Sequence, residues 1–165
     1  MAITPFTTEE KANWHNNLPA KPCGAAMICV NKENKMLAVK ASYKDHWSVP
    51  GGVVDEGESP QKAALRELQE EVNISLVSSQ IKFVDVVYHH PQDDRKDFVH
   101  FLFMATNVNA TATPDMHEIV EAKWVSPKEF RELCRGAPHL IRAADIVDGL
   151  NPQQYLENTR SLTGK

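Results

Sequence analysis

Residues 52–74 read GVVDEGESPQKAALRELQEEVNI, and within them Arg66-Glu67-Leu68-Gln69-Glu70-Glu71 gathers three glutamates behind a glycine-rich turn. A helix advances about 100° per residue, so positions three and four apart share a face. Glu67 therefore projects with Glu70 and Glu71, while Leu65, Leu68 and Val72 point to another arc and face a core. Ser59 can cap the free N–H groups at the helix start, and Pro60 suits the first helical position, where no amide donor is needed. Asn73 tolerates the left-handed conformation that closes many helices. Upstream, Pro50-Gly51-Gly52 reads as a turn whose backbone can approach a ligand closely. Glutamate is a good helix former, and a solvated acidic surface would explain such a run taken alone. Carboxylates this concentrated repel one another, however, and a divalent cation is the simplest counter-charge. A cation held in this way serves chiefly a phosphate-bearing substrate.

The surrounding register separates the two readings. The stretch resembles the box of the Nudix hydrolase family, Gly-x5-Glu-x7-Arg-Glu-U-x-Glu-Glu-x-Gly-U, with U a bulky aliphatic residue. Gly52, Glu58, Arg66, Glu67, Leu68, Glu70, Glu71 and Ile74 all fall on it. Six fixed polar or glycine positions agree by chance at about one in 10⁷–10⁸, with each residue type near one in twenty. The one departure is Asn73, where the family has glycine, and both residues accept positive φ. The resemblance implies an α/β fold, a Nudix-type α/β/α sandwich with a mixed central sheet.

The rest of the chain agrees with a single domain over 1–165, with residues 1–20 as an N-terminal extension and 150–165 as a C-terminal tail. The chain has 165 residues, 42% of them hydrophobic, which is enough for one core. Net charge is −4, so there is no basic footprint for long nucleic acid. No apolar run is long enough to span a bilayer, and the start, MAITPFTTEEKANWH, lacks the pattern of a secretory signal. Cys23, Cys29 and Cys134, without CxxC spacing, read as reduced, buried thiols of a cytoplasmic protein.

Thr7 and Glu10 form a capping-box pattern, which predicts a helix over 8–17. Residues 23–30 and 36–40 predict a hairpin around the polar turn Asn31–Asn34. Strands are expected at 81–88 and 97–106, the second apolar on nearly every position as in a strand buried on both faces. A long irregular connection over 106–118 is a candidate lid or substrate loop. A strand at 121–125, helices at 127–135 and 139–147, and a loose tail complete the chain.

The chemistry implied by the resemblance is Mg²⁺-dependent hydrolysis of a pyrophosphate linkage, with Mn²⁺ as a substitute. Glu67, Glu70 and Glu71 are the expected metal ligands, joined through the family likeness by the Gly52 carbonyl oxygen. Arg66 falls on the position that orients a box glutamate, and Glu58 is open between metal support and structural pairing. The general base is a box glutamate such as Glu70 or an acid from a distant loop. Glu118 is better placed for that than Glu121, and His89, His90, His100 and His117 are possible helpers. A histidine on an apolar strand, such as His100, is more often a satisfied core residue. His89 and His90 with Asp93 and Asp94 resemble a second metal cluster, but strand neighbours point to opposite faces and chelate poorly.

The expected substrate is a nucleoside diphosphate linked to a group X. Either a nucleoside triphosphate, including an oxidised one, or a nucleotide sugar fits, because Pro91 and Tyr88 miss the downstream spacings that mark the ADP-ribose and dinucleoside-polyphosphate subgroups. Tyr43 and Trp47 could stack on base or sugar, with core anchoring the alternative for Trp47. The expected partner is therefore a small nucleotide, and neither a membrane nor a long nucleic acid; a homodimer stays open. The rival from another class is a catalytically silent Nudix-fold module that binds or senses a nucleotide. Such proteins lose box glutamates, and here all are present.

Overall fold

The computed structural model describes residues 6–91, 96–135, 137–150 and 155–158. Asp93 and Asp94, part of the discounted metal cluster, lie outside them. The first helix, α1 (Thr8–Asn16), carries the expected capping box between Thr7 and Glu10 and buries none of its residues. It is followed by β1 (Cys23–Cys29), β2 (Met36–Ala41), β3 (Gly51–Val53) and helix α2 (Pro60–Val72). Strands β4 (Ile81–His89), β5 (Phe98–Ala105) and β6 (Ile119–Val125) precede helices α3 (Pro127–Leu133) and α4 (Pro138–Val147), and β7 (Tyr155–Asn158) comes last.

A five-stranded mixed sheet runs in the order β3-β1-β5-β4-β7, and β2 and β6 form a separate antiparallel pair. This corrects the expected hairpin of 23–30 with 36–40. One edge of β1 pairs with β3 and the other with β5, so no free edge remains for β2, which turns away after the single Val30–Met36 bridge and pairs with β6. The glycine turn is also corrected. Gly51 and Gly52 lie in a short strand opposite Ala26 and Ala25. A Cβ at Gly51 would sit 2.4 Å from the Ala25 carbonyl oxygen, so only glycine lets the two strands close. The loose-tail expectation fails over residues 155–158, which extend the sheet by pairing parallel to β4.

Alternation along β1 divides the core in two. Ala25, Met27 and Cys29 meet Ala63, Ala64, Leu68 and Val72 of α2. Ala26 and Ile28 meet Phe130, Cys134, Ala143 and Ala144 of the α3–α4 layer. The result is the expected α/β/α sandwich. β5 is the middle strand of the five, and the expected burial on both faces holds only in part, since its first half is partly buried.

The structure also buries an ion pair that the sequence did not announce. Asp85 of β4 and Arg142 of α4 are 0% and 4% exposed and hydrogen-bonded to each other. Cys29 and Cys134 are buried free thiols, both pushed up to about 12 by desolvation, and Cys23 is half-buried. Among the described residues no helix is long and apolar enough to cross a membrane.

Candidate active site

Helix α2 is built as its sequence predicts. The Ser59 hydroxyl accepts from the Lys62 amide at 3.3 Å, Pro60 opens the first turn, and Asn73 closes the helix at φ 55°. Leu68 and Val72 are fully buried, and this packing holds the acidic face at the edge of the sheet.

The three glutamates of that face have different environments. Glu71 is 5% exposed and accepts a hydrogen bond from the Gly51 amide at 2.9 Å. Burial pushes its carboxyl up to about 8; the Gly51 bond opposes this, and the charges of Glu67 and Glu118 add to it. Glu67 is also raised, first by burial, with Arg66 opposing. Its carboxylate lies against Gly52, where a Cβ would come within 2.4 Å of Glu67 Oε1. Glu70 stands in solvent with 60% of its side chain exposed.

Arg66 ties the face to the preceding loop. Its Nε and Nη2 donate to the two oxygens of Glu58 at 3.1 and 3.0 Å. Nη1 donates to Glu67 Oε1 at 2.7 Å and Glu70 Oε2 at 3.0 Å, and Nη2 also reaches the Val53 carbonyl at 3.0 Å. The bidentate pair with Arg66 holds the Glu58 carboxyl below its ordinary range, and the carboxylates together, Glu58 foremost, push the guanidinium up. Both Glu58 oxygens are therefore engaged by Arg66, which also engages Glu67 and Glu70.

The loop over 106–118 brings in Glu118. Thr113 and Asp115 donate their amides to the Val72 and Glu71 carbonyls at 2.8 and 3.1 Å, so the loop satisfies carbonyls left free at the end of α2. The Asp115 carboxylate accepts from the amides of His117, Glu118 and Ile119. Sequence reading passed over Asp115; its only signal was an acid after Pro114 at a turn. The Tyr43 hydroxyl donates to Glu118 Oε1 at 2.6 Å, and that contact pushes the phenol up to about 12.

Other candidates are placed elsewhere. Glu121 pairs across the strands with Lys40 and is exposed. Trp47 packs against the α3–α4 core, with Lys123 Nζ 4.1 Å from its ring centre, and is not brought to the glutamates. His89 and His100 line a small cavity with Val49, Leu140 and Ala143 on that same side. His90 lies edge-on to the Tyr88 ring, and His117 is an exposed loop residue.

Carboxylate oxygens are hard donors of the kind that suits Mg²⁺. Among the described residues no three acidic, histidine or cysteine side chains stand ready-gathered for an ion, and Glu67 and Glu70 both accept from Arg66. The mutual charge of Glu67, Glu71 and Glu118 nevertheless makes the face one that a cation would relieve.

Comparison with known proteins gives the family. The family model described as NUDIX domain matches residues 21–144, and the chain belongs to the Nudix family of hydrolases. A Bacillus subtilis (strain 168) protein named "Putative 8-oxo-dGTP diphosphatase" is 36% identical over 107 residues, covering 63% of this chain and 66% of that protein. An RNA pyrophosphohydrolase of Hydrogenovibrio crunogenus is 50% identical over 48 residues, 29% of either chain. The chain thus matches just under two thirds of the first relative's length and less than a third of the second's. The crystal structure of a MutT protein from Methanosarcina mazei Go1 superposes with a TM-score of 0.66 at 21% identity, over 82% of this chain and 100% of that one, a likeness of fold.

Proposed function

We propose that this protein is a Mg²⁺-dependent pyrophosphohydrolase that cleaves a nucleoside diphosphate linked to a further group, either a nucleoside triphosphate, including an oxidised one, or a nucleotide sugar. The observation that carries the reading is that Glu118, from a loop far along the chain, comes within electrostatic reach of Glu67 and Glu71 of α2, with Glu67 against Gly52 and Glu71 bonded to the Gly51 amide. The names of the Bacillus and Hydrogenovibrio relatives support a nucleotide with a phosphoric anhydride bond. A net charge of −4 favours a small nucleotide over a long nucleic acid.

Glu67, Glu70, Glu71 and the Gly52 carbonyl would hold the ion. Bound there, Mg²⁺ or Mn²⁺ supplies charge neutralisation to the phosphate oxygens. Arg66 orients Glu67 and Glu70 through one guanidinium nitrogen, and Glu58 fixes Arg66 in turn. Water adds to phosphorus, its proton passes to Glu118 or to Glu70, and the bridging P–O bond breaks with its electron pair on the departing phosphate.

The test is a product-resolved panel of 8-oxo-dGTP, ordinary nucleoside triphosphates, ADP-ribose and a short 5′-triphosphorylated RNA, each with Mg²⁺ and with Mn²⁺. Turnover is expected, slowed about 10²–10⁴-fold by Glu70→Gln with the fold retained. No turnover on any member with either metal would replace this reading with a nucleotide-sensing module.

A further inference from the structure

We propose that Tyr43 is a positioning residue whose hydroxyl holds the Glu118 carboxylate over the α2 glutamates. The inference rests on Glu118 acting in the hydrolysis proposed above. The loop backbone is already fixed: Asp115 accepts from the Glu118 amide, and the Ser42 amide donates to the Glu118 carbonyl at 2.9 Å. A bulge also sets the aim of this segment. Lys40 pairs with Glu121 but Ala41 with Ile119, so Val120 is the extra residue on β6. A bulge re-aims the residues next to it, and Glu118 lies just beyond it.

The side chain is a separate matter from the backbone. Glu118 lies within electrostatic reach of Glu67 and Glu71, and the charge on Glu67 disfavours holding its carboxylate there without a partner. Among the described residues, the Tyr43 hydroxyl at 2.6 Å is the one hydrogen-bond donor to that carboxylate. Tyr43 is 65% exposed, so it does not anchor a core. Because the phenol is pushed up to about 12, it remains a donor at any working pH.

Tyr43→Phe keeps the ring and removes only the donor. Steady-state kinetics of Tyr43→Phe, Glu118→Gln and the double variant, with saturating Mg²⁺ on the panel nucleotide that the wild type turns over fastest, separate the readings. A positioning role predicts a kcat about tenfold lower in Tyr43→Phe with KM within about twofold, and a double variant no slower than Glu118→Gln alone. Thermal melting should be unchanged, since the ring stays and the site is exposed. A normal kcat in Tyr43→Phe, a raised KM at unchanged kcat, or effects that multiply in the double variant would overturn the positioning role while leaving Glu118 in place. Wild-type turnover by Glu118→Gln would remove the acid assignment, and absence of turnover in the wild type would remove the hydrolase reading; the positioning role falls with either.

Discussion

Substituting Glu71 by Gln tests the electrostatics of the face without any substrate. Glu71 is 5% exposed, and burial raises its carboxyl from 4.5 to about 8. The folded chain therefore keeps a proton that the unfolded chain releases. The stabilisation is full below 4.5 and is lost as pH rises through 8, because stability falls with pH wherever the folded state binds more protons. Taken at face value the loss by pH 9 is on the order of 5 kcal/mol, and relaxation with water entry brings the expectation to about 2 kcal/mol. In the Glu71→Gln variant the side-chain amide oxygen would still accept the Gly51 amide, but the group never ionises. Urea melts in EDTA at about pH 4 and 9 are the assay; at the acid end, where the carboxyl is largely protonated in both folded and unfolded chains, the two proteins should differ little. At the alkaline end Glu71→Gln should be the more stable by about 2 kcal/mol, or roughly 4–8 °C in Tm. Replacing EDTA with excess Mg²⁺ should narrow the gap. A difference of equal size at both pH values would refute the argument, since every other titrating group is common to the two proteins.

Gly52→Ala places a Cβ 2.4 Å from Glu67 Oε1, the movable end of a side chain. Turnover should fall about 10-fold or more while Tm shifts by only a few degrees, because one misplaced catalytic group costs rate before stability; paired kinetic and melting measurements decide it. Arg142→Leu leaves Asp85 charged and buried without its guanidinium, and should cost about 3–5 kcal/mol in urea unfolding. The double replacement Asp85→Leu with Arg142→Leu should recover much of that loss, and equal losses in the two variants would count against a desolvation origin.

Much of α2 was legible in the sequence because its determinants are local. Capping by Ser59, the proline at the first position, the left-handed Asn73 and the buried stripe of Leu68 and Val72 all depend on neighbours within a turn or two. The hairpin of 23–30 with 36–40 failed for the opposite reason. A short polar turn brings two strands near each other, but which edges pair depends on β3, β5 and β6, which compete from as far as residue 125. The pairing of residues 155–158 with β4 was hidden in the same way.

The site divides along the same line. The register of Gly52, Glu58, Arg66, Glu67, Glu70 and Glu71 is set by helical geometry and by residue identity, so the sequence by itself determined the family, the acidic face and the expected chemistry. Helical spacing says nothing about solvent, and it therefore treated the three glutamates alike. Only tertiary packing decided that Glu71 is buried under Gly51, that Glu67 is fitted against Gly52 and that Glu70 stays in water. Only tertiary packing, too, turned Trp47 to the far core and joined Tyr43 to Glu118 across 75 residues of chain. A carboxylate's charge state and reach depend on desolvation and on partners distant in sequence, and those exist only once the sheet has closed.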